Sequence, residues 1–294
     1  MKKNFLIVLL FMVLVSAHAQ SKTAANQSVP SPYEPDILFS FANSLYDEGF
    51  LNQAESEYKR FLFALTPDSL NSNLKVQTSL TALTNIYKKQ NSVNGIEWLK
   101  KNFYSNAQTP VKEKINFVQA DFIFKERNAQ AFDLFCSSIA FEKPIFTSEF
   151  NNLIDASSLL LNNNIDELKE LCSYVAGTNP DYEKLNELCK SYKLKSPGLA
   201  LFLSSVIPGC GKWYTGSFGA FVSSFLSIGS FAAGTVVSGI QTNWKSWQPY
   251  VFGACGAVLY ITELYGAYQS AKRYNAALYR VLCEETEKIY EKEY

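Results

Sequence analysis

Histidine is all but missing from this chain of 294 residues: the only one, His18, lies close to the start. It sits in a segment that reads as removable. Lys2 and Lys3 make a positive start, Phe5–Val15 is an apolar run shorter than the ~20 residues a membrane span needs, and Ala17 and Ala19 form an A-x-A cleavage site. Residues 1–19 are therefore read as a secretory signal peptide, with an uncleaved anchor helix as the alternative. Once it is removed before Gln20, no imidazole remains. Ser-His-Asp and Cys-His nucleophiles, histidine general bases and imidazole metal sites are then excluded, and no enzyme activity is expected.

Net charge is lacking as well. Lys+Arg and Asp+Glu both number 27, so no basic field exists to attract nucleic acid. The six cysteines, Cys136, Cys172, Cys189, Cys210, Cys255 and Cys283, include no C-x-x-C pair, which argues against zinc and iron-sulfur centres. Cys172 and Cys189 flank the turn-like VAGTNPDY. A bridge between two antiparallel helices and simple burial of two free thiols both remain open.

A phosphate loop is missing too, although Gly209–Lys212 reads G-C-G-K. The residue five before Gly211 is Val206 instead of Gly, and Trp213 follows Lys212 where Ser or Thr would hold Mg2+. No nucleotide and no cofactor is expected there. The glycines are instead read as a mechanical device.

What the chain has in plenty is apolar and aromatic surface, 47% and 15% of residues, enough for a sizeable core and about two domains. Residues 20–35 carry three prolines among polar residues and read as a flexible leader. From 36 to 192 the pattern is helical. Leu38, Phe41, Ala42, Leu45, Gly49, Ala54, Tyr58 and Phe61 follow the frame of a tetratricopeptide-like repeat, closed by Pro67. Fainter copies place Gly95 where the first unit has Ala54, and continue through Leu99, Val118, Phe122, Ala131, Phe135, Ala156, Leu168 and Cys172. A plain array of helical hairpins is the alternative. Either form must stack its apolar faces, which yields a surface suited to a protein or peptide partner. The polar blocks LNSN, QNSVN and LNNNI read as caps and turns.

The last third is different. Residues 217–240 carry no charge and 249–270 only Glu263, so both are read as transmembrane helices joined by the short QTNWKSWQ. Trp213 before the first span and Trp244 and Trp247 between the spans are read as interfacial anchors. Gly229 with Ala233, and Gly253 with Ala257, have the small-x-x-x-small spacing of close helix packing. Residues 198–208 form an apolar segment half a bilayer long, read as a short interfacial or re-entrant helix broken at Pro208 and Gly209. Two buried helices of a soluble domain are the alternative to the spans. Glu263, the intramembrane carboxylate, is expected to reach the interface or to accept a hydrogen bond from Thr262 or a tyrosine. Residues 271–294 read as a solvated or interfacial amphipathic tail.

The pattern S-P-x-L-A at Ser196–Ala200, followed by L-S-x-x-x-P-G-x-G-x-x-Y-x-G at Leu203–Gly216, resembles the two-span segment of uncharacterised bacterial envelope proteins that often carry tetratricopeptide-like repeats. The turn motif comprises Pro208, Gly209, Gly211, Tyr214 and Gly216. Cys210 and Lys212 depart from it, standing where small or polar residues are usual. The resemblance implies an inner-membrane protein of the cell envelope with its N-terminal region periplasmic, and carries no reaction. Lys272, Arg273 and Arg280 after the second span, against Lys245 between the spans, favour a cytoplasmic tail, whereas a cleaved signal with two spans returns the tail outside. Together these readings describe an all-α, exported helical-repeat array followed by a transmembrane hairpin. Its expected role is a membrane-anchored scaffold contacting lipid and a protein partner, or alternatively a transport or assembly component in which the hairpin is the active part.

Overall fold

The computed structural model describes residues 34–70 and 73–292, and the expected signal peptide, residues 1–19, and nearly all of the expected leader lie outside that range. Among the described residues every regular element is helical and no strand occurs. The chain divides into two compact units, one up to Gln119 and one from Ala120 onward.

In the first unit, α1 (Pro35–Asp47) and α2 (Leu51–Ala64) form an antiparallel hairpin. α1 begins at Pro35, the last residue of the expected leader, because a proline in the first helical turn gives up no hydrogen bond. Ala42 and Ala54 are fully buried between the two helices, beside Leu38, Tyr58 and Phe61. Phe41, which the repeat frame places among the core residues, is instead exposed. The Tyr58 hydroxyl donates to Asn43 at 2.7 Å, and burial pushes its pKa up to about 12.

α3 (Leu74–Gln90) and α4 (Val93–Phe103) form a second hairpin. The Asn73 and Ser92 side chains cap their N-termini by accepting from Lys75 N and Gly95 N, and Asn91 takes the left-handed conformation that ends α3. Gly95 lies against the ring of Tyr87, and a Cβ there would stand 2.3 Å from Tyr87 Cδ1. The ring is buried and its hydroxyl is tied to Glu55 at 3.2 Å, so it has little freedom to retreat. Alanine would gain about 1 kcal/mol in helix propensity, but overpacking costs about 1–3 kcal/mol. Gly95→Ala is accordingly expected to destabilise this unit by about 1–2 kcal/mol. Hydrogen exchange of the α3 and α4 amides measures it, and slower exchange in the variant would show that the ring yields.

α5 (Thr109–Lys125) carries the chain from the first unit into the second. There α6 (Ala129–Ile139), α7 (Ser148–Leu161), α8 (Ile165–Val175) and α9 (Glu183–Ser191) pack in sequence. Asn128 and Thr147 cap α6 and α7. The α8–α9 hairpin brings Cys172 and Cys189 together, both fully buried. They meet as free thiols, the hydrogen bond to Cys189 and burial together raising the pKa of Cys172. The structure thus pairs the two cysteines in space without a bridge.

Three more helices precede the last. α10 (Pro197–Val206) is short, apolar and capped by Ser196, α11 (Cys210–Tyr214) is little more than one turn, and α12 (Phe218–Thr242) has 25 residues, about 37 Å. After five residues α13 (Gln248–Lys292) runs unbroken for 45 residues. α12 and α13 are each long and apolar enough to cross a membrane.

The tail beyond residue 270 is therefore no separate element. It continues α13, and one face of its end is covered by protein instead of standing free: Leu282, Cys283, Ile289 and Tyr290 are buried against α7 and α9. The Tyr290 hydroxyl lies 2.9 Å from Ser157 Oγ, Arg127 pairs with Glu287 at 2.6 Å and Lys292 with Asp181 at 2.6 Å. The reason is local: from Leu282 onward the apolar positions fall on one helical stripe, which α7 and α9 cover, while Val281 stays exposed beside it. Burial opposes the charged form of Glu285, yet hydrogen bonds from Lys288 and Lys184 hold its carboxyl below the usual range.

The close packing of α12 on α13 agrees with the small-residue spacing at Gly253 and departs from it at Gly229. Gly229 has nothing within 4 Å, while Gly234 meets Phe252, Gly253 meets Thr235 and Gly256 meets Phe231. Side chains of each helix, Phe231 and Thr235 on one and Phe252 on the other, meet the glycines of its neighbour, which a within-helix pattern does not reveal.

Candidate functional site

The chain between α9 and α12 folds into a polar knot against the middle of α13. Its path can be followed by its partners. The Lys195 backbone exchanges two hydrogen bonds with the Asn275 side chain, at 2.8 and 2.9 Å. α10 then runs antiparallel to α13, so that the Ser205 carbonyl accepts from the Tyr260 hydroxyl at 2.8 Å. Asn275 and Tyr260 are 15 residues apart, about 22 Å of helix. At Pro208 and Gly209 the chain reverses, and by Thr215 it is back beside Ser270, hydroxyl to hydroxyl at 2.6 Å.

Each residue of the turn motif has a mechanical task. Ile207 is extended, as the residue before a proline prefers, which ends α10. Gly209 has φ +90°, and its backbone approaches the Phe221 carbonyl so closely that a Cβ would stand at 2.8 Å. Gly216 has φ +91° in open space, so conformation alone requires glycine there. Gly211 presses on the backbone of α10: a Cβ would lie 2.0 Å from the Ala200 oxygen and 2.8 Å from Ala267 Cβ. Its N–H donates to the buried Ser204 hydroxyl at 2.9 Å. Tyr214 accepts from Ser196 N through its hydroxyl, and both its carbonyl and its ring hold the Lys195 ammonium.

Lys212, the residue after Gly211, enters the knot. Its ammonium forms an ion pair with Glu263 and donates to Ser224 Oγ at 3.0 Å, while Ser224 in turn donates to the same carboxylate oxygen at 2.6 Å. Glu263 is only 4% exposed. The expected partners are not the actual ones: the Thr262 hydroxyl donates to the Val258 carbonyl at 2.8 Å, and no tyrosine reaches the carboxylate among the described residues. The second carboxylate oxygen, Oε1, is buried without a hydrogen-bond partner.

The knot explains why the residue that departs from the turn motif matters. Between 196 and 270 the only charged residues are Lys212, Lys245 and Glu263, so two isolated opposite charges in an apolar region were a signal that they pair. Ser224, Ser204, Ser270 and Asn275 gave none, since single hydroxyls and amides are common in such helices. The amide of Gly211 and the ammonium of Lys212, which a nucleotide loop would present to phosphate, are both engaged internally.

Trp213 lies on α11, half exposed and stacked on Phe221 at 5.4 Å. Trp244 and Trp247 lie in the connection at the other end of α12, both exposed, with Trp244 bent back over Gly239. The aromatic residues therefore mark both ends of the helix pair.

Among the described residues no group of three or more His, Cys, Asp or Glu side chains is placed to hold a metal ion. No protein-family description, curated protein or solved structure matches the chain.

Proposed function

We propose that the protein is an exported scaffold of the cell envelope, held in the inner membrane by α12 and α13, whose helical hairpins bind a protein or peptide partner. One observation carries the membrane reading: the apolar window of α12 is 0% buried and that of α13 only 11%. A core helix of a soluble domain would be covered. Leu199, Phe202, Val206, Phe225, Leu226, Val258 and Ile261 are likewise exposed, while Ser204, Thr215 and Glu263 are buried, the arrangement suited to lipid as solvent. α10 and α11 then form a re-entrant loop, allowed because its broken backbone is packed against protein.

The docked tail supports a single side for the helices and the C-terminus. Tyr290 and Ser157 touch, so α7 and the end of α13 share one compartment, as two crossings require. A cleaved signal makes that compartment the exterior. The basic residues Lys272, Arg273 and Arg280 oppose this orientation, but large exported domains follow the charge rule weakly.

The partner-binding part draws on the exposed aromatic residues of the first unit. Phe41 and Leu45 of α1, with Gln53, Ser56 and Glu57 of α2, line a shallow cleft of about 420 Å³. An apolar anchor residue flanked by backbone amide and carbonyl groups fits that lining.

The test uses the full chain, because residues 278–290 complete the core of α7 and α9. Native membranes are treated with an amine-reactive crosslinker and the tagged protein is isolated. A specific protein adduct lost on Phe41→Asp supports the scaffold. Absence of any adduct, or release of the protein by alkaline carbonate without detergent, overturns it.

A second reading, a transport or assembly component, is favoured by the unpartnered buried Oε1 of Glu263. It requires the carboxylate for activity beyond its contribution to folding.

A further inference from the structure

A cleft of about 640 Å³ opens where α11, the start of α12 and α13 meet, lined by Thr215, Ser217, Gln269, Ser270, Arg273 and Tyr274 among others. We infer that it holds the phosphodiester headgroup of an anionic membrane lipid. The inference rests on the membrane reading above and adds a ligand and a residue set to it.

Four observations point the same way. No carboxylate lines the cleft, and the nearest one, Glu263, is neutralised by Lys212. Arg273 is exposed and has no ion-pair partner among the described residues, whereas its neighbour Lys272 is turned onto the Tyr268 ring at 4.8 Å. A second cation stands close by: the Lys195 ammonium lies 4.5 Å from the centre of the Tyr274 ring, which is part of the wall. The Ser217 hydroxyl does not cap α12 and is left to donate elsewhere.

Depth on the helix selects the source of the phosphate. Arg273 is 25 residues from the start of α13, about 38 Å, whereas the hydrocarbon core is about 30 Å thick. With Trp244 and Trp247 at one surface, Arg273 stands at headgroup level on the other. The cleft's lower wall, Ala220, Tyr265 and Gly266, continues into the exposed Ile261 and Val258, an apolar track along which an acyl chain can lie. A guanidinium together with the uncommitted Ser217 hydroxyl matches a phosphodiester in charge and in donor type. A zwitterionic headgroup fits less well, since its ammonium finds no carboxylate.

The full chain, purified in mild detergent, is mixed with equimolar phosphatidylglycerol and phosphatidylcholine, and the retained lipid is measured by mass spectrometry. Phosphatidylglycerol is expected in at least about tenfold preference. Arg273→Gln should abolish that preference, while Arg280→Gln, on an exposed position outside the cleft, should keep it. Equal retention of the two lipids, or equal loss in both variants, overturns the assignment. So does displacement of phosphatidylglycerol by millimolar inorganic phosphate, which would make the site one for a free anion. Carbonate extraction of the same membranes separates the two ideas: release from the vesicles sinks the membrane reading and this one with it, whereas retention without lipid preference sinks only the cleft.

Discussion

Replacing Lys212 with methionine is expected to lower the stability of the membrane segment by about 3 kcal/mol, and the added change Glu263→Met to restore most of it. The argument is electrostatic. Glu263 is nearly inaccessible, and one of its oxygens depends wholly on Lys212 and Ser224. Removing the ammonium leaves a buried carboxylate with a single hydroxyl donor, a situation that costs several kcal/mol unless the group takes up a proton. Replacing both charges by apolar groups of similar volume removes the desolvation cost along with the attraction, so the pair as a whole contributes little net stability. Glu263→Gln should fall between these cases: the amide still accepts from Ser224, and the Lys212 side chain, 22% exposed, can move its ammonium toward water.

The measurement is a double-mutant cycle on thermal unfolding in detergent, scored against membrane abundance. A double variant as unstable as Lys212→Met alone would show that the two residues are not coupled. The same cycle separates the two functional readings. If the doubly neutral protein is stable and abundant and cells behave as with the wild type, the carboxylate serves architecture and the scaffold stands. If it is stable yet inactive, Glu263 has a task beyond folding, and the transport or assembly reading takes over.

Gly211→Ala should be more damaging than any other single-methyl addition in the turn, with a loss of about 3–4 kcal/mol. The added Cβ would stand 2.0 Å from the Ala200 carbonyl oxygen and 2.8 Å from its carbon. Those are backbone atoms of α10, and the third neighbour is the rigid methyl of Ala267, so no flexible side chain can give way. Relief requires α10 to move off α13, which pulls apart the Ser204–Gly211 hydrogen bond and shifts Lys212 away from Glu263. Gly216→Ala is the internal control. Nothing lies near its Cβ, and only the left-handed φ is penalised, at about 1–2 kcal/mol. Protease resistance of the two variants in membranes ranks them. Equal behaviour would mean that conformation and not contact governs the motif.

These two cases show what kind of knowledge each came from. The sequence was enough to identify an all-helical chain, two helices of membrane-crossing length and a glycine turn that is mechanical. Each of those follows from local properties: periodicity, uncharged length, and the inability of a Val206…Gly211-Lys212-Trp213 string to form a phosphate loop. Caps at Asn73 and Ser92 belong to the same class, because a cap is a bond between near neighbours in the chain.

What the sequence could not settle are relations between distant residues. It offered Glu263 the interface, Thr262 or a tyrosine instead of Lys212, because 51 positions separate the two charges and only the reversal at Gly209 brings them together. It read residues 271–294 as a solvated or interfacial tail, because an amphipathic stripe looks the same whether water, lipid or α7 covers it. It offered Gly229 as a packing site, although which side of α12 faces α13 is fixed by where the connection at Asn243–Trp247 sets the helices down. Composition and period dictate which elements form and which surfaces must be covered, and only the packed chain determines which surface covers which.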